Sequence, residues 1–383
     1  MLRKISNYIN SKEHEMLDFL RTIVNMDSGS KDKIDVDALG KVLKAWWMKA
    51  GFDIEEINYN DVGNCYVARI NQDKPGKKII LMGHFDTVFP KGEVASRPFK
   101  IEGGRAYGPG VGDMKSGLVN MLYSVKALKS EGYLKDPVSV ILNSHEEIDS
   151  KYSRDVIIDE SKNAGIVINL EPARANGAVV TGRKGGAFLD LFIKGKAAHA
   201  GVEPQKGANA NLELAHRIIE LQNLNDFNKG LTVNVNVVSG GHTRNIISDK
   251  AKAEVDIRFV KREDVDSLNN YVLKLLSKTK VPGTKCRSDL RIIFLPMEKK
   301  ENVLSAYNLV CKAAKELGIN INDAFTGGGS DAGFTSQIGI PTICGMGPIA
   351  GNPHSVDEYM EISSITERCK LLAITMAKFW CLT

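Results

Sequence analysis

Apolar and polar positions along the chain change period several times, and each change marks an element. Met16, Phe19, Leu20 and Ile23 recur at helical spacing. They follow Ser11, a residue type that suits a helix N-cap. Residues 36–50 form a second helical stretch, ended by Gly51. Short apolar runs at 65–70, 78–82 and 138–142 predict buried strands, with a helix at about 115–130 between the last two. A further strand at 165–170 runs directly into Glu171. Buried strands alternating with helices predict an α/β sheet with helices on its faces.

The texture changes after Gly182. Residues 187–193 read as a strand and 203–221 as a helix opened by Pro204. Two strands follow, at 231–238 and 251–259, with a Gly-Gly turn and a loop between them. A helix at 262–278 and a strand at 289–295 complete the order β-α-β-β-α-β, which is ferredoxin-like. From 297 the α/β style returns: a helix at about 301–317, a Gly-rich loop at 327–329, a strand near 341–345 and a final helix. This predicts a domain of residues 183–296 inserted into a larger domain made of 1–182 and 297–383.

Composition narrows the picture. Of 383 residues, 43% are hydrophobic and 25% charged, which excludes global disorder. The net charge is only +5 and no long basic block occurs, so neither a nucleic-acid partner nor a membrane surface is expected. Six scattered cysteines include no CxxC, which argues against a zinc knuckle or thioredoxin motif and suits a reducing compartment. No signal-peptide pattern opens the chain and no apolar run is long enough to span a bilayer, so the expectation is a cytoplasmic protein.

Metal-type ligands concentrate in a few short segments: Gly83-His84-Phe85-Asp86-Thr87-Val88, the Gly-rich stretch up to Gly112-Asp113-Met114-Lys115, Ser144-His145-Glu146-Glu147, Leu170-Glu171-Pro172 and Pro353-His354-Ser355. The first, third and fourth end predicted strands, where open α/β sheets place their ligand sites. A lone strand-end histidine is usually structural, and a lone Glu-Glu pair says little. Their co-occurrence, in order, points to zinc, manganese or cobalt chemistry. His84 and Asp86 are two apart, so Asp86 can accept the second ring N–H of His84 and orient it. On an extended segment Glu146 and Glu147 diverge, so one can ligate a metal while the other acts as general base.

In these segments the chain resembles the di-zinc peptidases and deacylases that include glutamate carboxypeptidase, acetylornithine deacetylase, succinyl-diaminopimelate desuccinylase and aminoacylase-1. GHFDTV, GPGVGDMKSG, HEE, LEP, KAAHAG, TGGGSDA and NPHSVDEY all correspond in order, over about residues 15–375, most closely to the glutamate carboxypeptidase type. The resemblance implies a mixed-sheet α/β metallopeptidase catalytic domain, phosphorylase/hydrolase-like, with an inserted ferredoxin-like α+β lid and dimerisation domain. It implies that Asp113 bridges two Zn2+ (Co2+ or Mn2+ as substitutes). His84 and Glu171 complete one metal's protein ligands, and Glu147 and His354 the other's. It further implies Asp86 as orienting residue, Glu146 as general base toward a metal-bridging hydroxide, and a cis peptide after Asp113. His199 is implied to reach a partner's site in a homodimer, while Asn245, Arg258 and Gly328 are implied to bind substrate, the arginine fork suiting a carboxylate.

Two positions depart from the family pattern: His145 stands where an acidic residue is common, and Asp149 where glycine is. Residues 231–238 carry no basic side chain to clamp a glutamate, which leaves Arg183, Lys184 and Arg244 as candidates. The leading expectation is a metal-dependent carboxypeptidase acting on a small peptide or N-acyl amino acid. An N-acyl-amino-acid deacylase is the alternative, ahead of a zinc aminopeptidase or a non-catalytic metal-stabilised binding protein.

Overall fold

A computed structural model describes residues 1–382. They divide into two compact units. The first is Met1–Gly182 with Glu298–Thr326 and the described residues from Ser330 onward; the second is Arg183–Met297 with Gly327–Gly329.

The first unit is built on a six-stranded mixed sheet. Its strands run in the order Asp53–Ile57, Cys65–Ile70, Val138–Asn143, Lys78–His84, Ala164–Asn169, Thr342–Ile343. The first two pairings are antiparallel and the other three parallel. Every residue of Val138–Asn143 is buried, as is all of Lys78–His84 except its first residue. Burial on both faces is why these strands read as unbroken apolar runs. The helix Ser116–Ser130 is buried on nearly every side. A Cβ on Gly117 would sit 2.1 Å from the Leu170 carbonyl oxygen, so only glycine lets the start of this helix approach the segment carrying Glu171.

Several local expectations are corrected. Ser11 does not open a helix. It is the last residue of a helix Leu2–Ser11, and its hydroxyl donates back to the Tyr8 carbonyl at 2.7 Å. That helix buries only Ile5 and Ile9, too short a pattern to stand out in the sequence. The strand Asp53–Ile57 escapes notice because an edge strand carrying Glu55 and Glu56 has no apolar run. Pro204 begins a single tight turn, Pro204–Lys206. The helix proper is Ala210–Gln222, capped by the Asn209 side chain, which accepts from the N–H groups of Asn211 and Leu212. A small sheet of Ala350–Gly351, Tyr359–Glu361, Arg105–Tyr107 and Lys100–Glu102 leaves no periodic trace, because its strands are two or three residues long.

The second unit is a four-stranded sheet in the order Thr232–Gly240, Lys250–Phe259, Gly185–Lys194, Lys285–Phe294, with every neighbour antiparallel. This is the ferredoxin-like arrangement. Ala187, Leu189, Leu191 and Ile193 alternate into a core with Leu214, Leu221, Val265, Leu268 and Val272 of its two helices. The opposite face of the sheet carries the charged residues, which is why the last strand looks shorter in the sequence than it is. Among the described residues no helix is long and apolar enough to cross a membrane.

Candidate metal centre

Three adjacent parallel strands end side by side and deliver most of the cluster. His84 closes Lys78–His84, in register with Asn143 of the neighbouring strand. Glu146 and Glu147 follow that neighbour by a short turn. Glu171 lies two residues beyond Ala164–Asn169 on the other side. Asp113 comes from the loop that opens the Ser116–Ser130 helix, and its peptide to Met114 is cis. His354 comes from the turn between two strands of the small sheet, where Asn352 and His354 both have positive φ.

The geometry centres on Asp113. Its Oδ1 lies 3.2 Å from His84 Nε2 and its Oδ2 3.5 Å from His354 Nε2. His84 Nε2 is also 3.8 Å from Glu171 Oε1, and His354 Nε2 is 3.2 Å from Glu147 Oε2. One carboxylate thus presents one oxygen to each of two imidazoles, each beside a further glutamate. His84, Asp113 and Glu147 offer ligand atoms that all lie within 4.8 Å of one another. This donor set fits divalent cations such as zinc, which take imidazole and carboxylate ligands. Two ligand groups sharing Asp113 suit a two-cation site.

Asp86 is fully buried and committed elsewhere. Its Oδ1 lies 3.3 Å from His84 Nδ1, its backbone oxygen 3.2 Å from the same nitrogen, and its carboxylate accepts the N–H groups of Glu146 and Glu147 at 3.1 Å each. Ser30 donates to it at 2.6 Å. These bonds turn His84 Nε2 toward Asp113 and fix the backbone of the Glu pair. Glu146 itself keeps its carboxylate out of every side-chain hydrogen bond seen among the described residues, although the residue is 7% exposed.

Charge explains the titration behaviour. Burial raises Glu146 well above the ordinary carboxylate range, with Glu171 and Glu147 adding to the effect, while His84 opposes it. Burial likewise pushes Glu147 up to about 7. Burial works against ionised Asp113, but the two imidazoles override it and hold the group well below its usual value. Asp113 and Glu147 push His354 up to about 10. A cluster in which carboxylates outnumber imidazoles, and so strongly favours the imidazolium forms, is one that cations would neutralise.

Further residues build the cluster without standing out in the sequence. Glu358 is 1% exposed and accepts three backbone N–H groups, from Gly110 at 3.1 Å, Gly112 at 2.8 Å and Asp113 at 2.9 Å. It lies in the same turn as His354 and so ties that turn to the Asp113 loop. Asp331 accepts from Asn143 at 2.7 Å and Ser150 at 2.5 Å, bracing the turn after the Glu pair. Ser330 receives Asn169 at 2.8 Å and reaches Glu171 Oε1 at 3.4 Å. A signal for them exists: TGGGSDA and NPHSVDEY carry all three, although those motifs point first to Gly328 and His354.

Both departures have physical accounts. Asp149 has φ +104°, a conformation that favours glycine. Asp149→Gly is expected to stabilise the protein by about 1 kcal/mol by relieving this strain, read as a raised unfolding midpoint. His145 is buried, its Nε2 accepts the Ser153 N–H at 3.1 Å, and Tyr59 and Tyr152 pack against its ring. Burial pushes its pKa down to about 4. The unfolded chain therefore binds the extra proton between pH 6.5 and 4, so this stabilisation is complete above pH 6.5 and falls as pH drops toward 4. The expected loss is about 3 kcal/mol, and His145→Phe should flatten that part of the pH–stability curve.

The remaining sequence candidates lie in the second unit. The His199 and Asn245 loops are knit together: the Ala200 N–H donates to the Asn245 carbonyl at 2.9 Å, and His199 bridges Ile246. Both side chains are exposed. Arg258 is held by Asp256 at 2.9 Å and pairs in register with Gly186 and Thr232. It sits eight residues along its strand from Lys250, roughly 27 Å from the end that carries the Asn245 loop. Within the second unit the structure therefore separates Arg258 from His199 and Asn245. Arg183 is buried and donates to the carbonyls of Gly328 at 3.3 Å and Gly329 at 2.6 Å, so it braces the glycine loop.

Comparison with known proteins bears on this arrangement. The family model for peptidase family M20/M25/M40 matches residues 80–378. The chain belongs to peptidase family M20/M25/M40. It is thus a metallopeptidase-type hydrolase with a mixed α/β fold, in a family that binds dinuclear metal. It is 33% identical over 365 residues to carboxypeptidase G2 from Pseudomonas sp. (strain RS-16), covering 92% of this chain and 86% of that one. It is 24% identical over 336 residues to succinyl-diaminopimelate desuccinylase from Wolinella succinogenes, covering 82% and 87%. In three dimensions it resembles aminopeptidase PepT from Bacillus cereus, with a TM-score of 0.78 at 20% identity over 96% of this chain and 98% of that one.

Proposed function

We propose that this family member is a carboxypeptidase-type amidohydrolase that releases a C-terminal amino acid from a small peptide or an N-acyl amino acid. The observation that carries the reading is Asp113 placed between His84 and His354, each beside its own glutamate. His84, Asp113 and Glu171 would hold one zinc ion, and Asp113, Glu147 and His354 the other. Bound there, the cations would polarise the scissile carbonyl and lower the pKa of water.

The chain's own residues do the rest. Glu146 Oε accepts a proton from the attacking water and passes it to the leaving nitrogen. Its environment supports this role, because burial and neighbouring carboxylates raise its proton affinity. Asp86 keeps His84 Nδ1 engaged and the Glu146–Glu147 backbone still. Arg258 offers a fork for a substrate carboxylate and Gly328 a backbone contact. His199 and Asn245 would reach the site of a second copy. That reading accommodates their separation from Arg258 and makes the second unit a lid and dimerisation domain. Six scattered cysteines with no CxxC suit a reducing, cytoplasmic setting.

Carboxypeptidase chemistry is favoured by the likeness to carboxypeptidase G2. The likeness to a desuccinylase keeps N-acyl deacylation as the second reading. A panel of dipeptides and N-acyl amino acids varied at the C-terminal residue separates the two. The protein is stripped by a chelator and restored with zinc, cobalt or manganese. Hydrolysis that survives verified metal removal would overturn the metal-dependent reading.

A further inference from the structure

The open face of the second unit's sheet carries charges in rows. Lys250 lies opposite Lys194, and Lys194 opposite Lys285, so three lysines share one rung across three adjacent strands. The next rung on the same face is Lys252, Phe192 and Arg287, and the one after that Glu254, Asp190 and Asp289. Like charges directly opposite one another on a sheet cost stability. The acidic rung is compensated: Lys252 reaches Glu254 at 2.6 Å and Asp190 at 3.5 Å, and Arg291 reaches Asp190 at 3.2 Å. The lysine rung is not compensated. Among the described residues no carboxylate pairs with Lys194, Lys250 or Lys285, and Arg287 stacks on Phe192 at 4.7 Å instead of pairing with an acid.

A cavity of about 790 Å³ opens at this end, lined by Phe192, Lys194, Lys250, Lys285 and Arg287 among others. This face therefore combines concavity with uncompensated positive charge. We propose that it is a docking site for an extended acidic peptide segment. Same-side side chains of an extended peptide repeat at roughly 6.8 Å, the spacing between two rungs of the sheet. A segment lying along the strands would thus set successive carboxylates against the lysine rung and against Arg287. The arginine fork pairs with a carboxylate bidentately, and the three ammonium groups supply positive charge. The site is remote from Arg258, at the opposite end of the same strand, and does not depend on the metal cluster.

The test uses the intact metal-loaded protein and a fluorescent peptide of six D-glutamates, with a D-glutamine peptide as control. Anisotropy should show saturable binding of the glutamate peptide that weakens as salt rises. The triple variant Lys194→Gln, Lys250→Gln, Lys285→Gln should bind it at least about tenfold more weakly. Without ligand the triple variant should unfold at a higher temperature than the wild type, because the repulsion within the rung is gone. Its hydrolysis of a neutral dipeptide should be unchanged, which also confirms that it folds. Equal binding by the triple variant, or equal binding of the glutamine peptide, would overturn the proposal. So would tighter binding of a single-stranded oligonucleotide of the same length, which would reassign the face to nucleic acid.

Discussion

Glu146→Gln is expected to retain the metal ions and lose most of its turnover. The substitution preserves the shape of a side chain that makes no hydrogen bond among the described residues, so neither fold nor ligand geometry should change. It removes only the ability to take and return a proton at Oε. General base catalysis contributes about 10²- to 10⁴-fold, and kcat should fall by that factor while KM stays close to the wild-type value. Metal content of the purified variant is the control. A variant that binds metal normally and turns over at the wild-type rate would show that another group moves the proton. A variant lacking metal would show that Glu146 is a ligand.

Asp113→Ala is expected to abolish tight metal binding altogether. Asp113 offers one oxygen to each of the two imidazoles, so its loss disrupts both ligand groups at once. Thermal stability gives a readout independent of activity. With metal at a hundred times its dissociation constant, the wild type should gain about 2.7 kcal/mol over its chelated form. The variant should gain nothing. The chelated variant should be less stable than the chelated wild type, because the ionised carboxylate that both imidazoles hold below its usual pKa is gone. Glu358→Gln provides the graded comparison. An amide cannot accept at both oxygens the three N–H groups that Glu358 receives, so the Asp113 loop should loosen. The expected cost is about 10- to 100-fold in metal affinity, the usual cost of losing a ligand's supporting partner. A metal affinity unchanged in Glu358→Gln, measured by chelator competition, would show that the loop holds its shape without this carboxylate.

The loops carrying His199 and Asn245 bear on assembly. These two residues share one end of the second unit's sheet and Arg258 occupies the other. If all three serve one substrate, at least two chains must contribute. Sedimentation or light scattering on the pure protein checks this directly: a strict monomer with full activity would remove His199 from the catalytic reading.

Much of the site is legible in the amino-acid sequence. Parallel strands buried on both faces must be written in apolar residues, so the runs that end at His84, before Glu146 and before Glu171 are visible, and strand ends are where a sheet leaves side chains free for ligands. The ferredoxin-like order of the second unit follows in the same way from its alternation of short runs and helices. Positions held by tertiary contacts leave a weaker trace. Glu358 looks like any surface acid until the Asp113 loop folds back to give it three N–H partners, and Asp331 becomes a brace only when Asn143 and Ser150 close around it. The charges on the open face appear mixed along the sequence because strand alternation interleaves them with core residues; only the pairing register places Lys194, Lys250 and Lys285 side by side. Local patterning is enough to read which chemical groups are available and on which elements they ride, since periodicity and turn chemistry are local. The tertiary structure alone decided which oxygen of Asp113 faces which histidine, that Arg258 stands apart from His199, and that three lysines share one rung, because each depends on distances between segments that are remote in the chain.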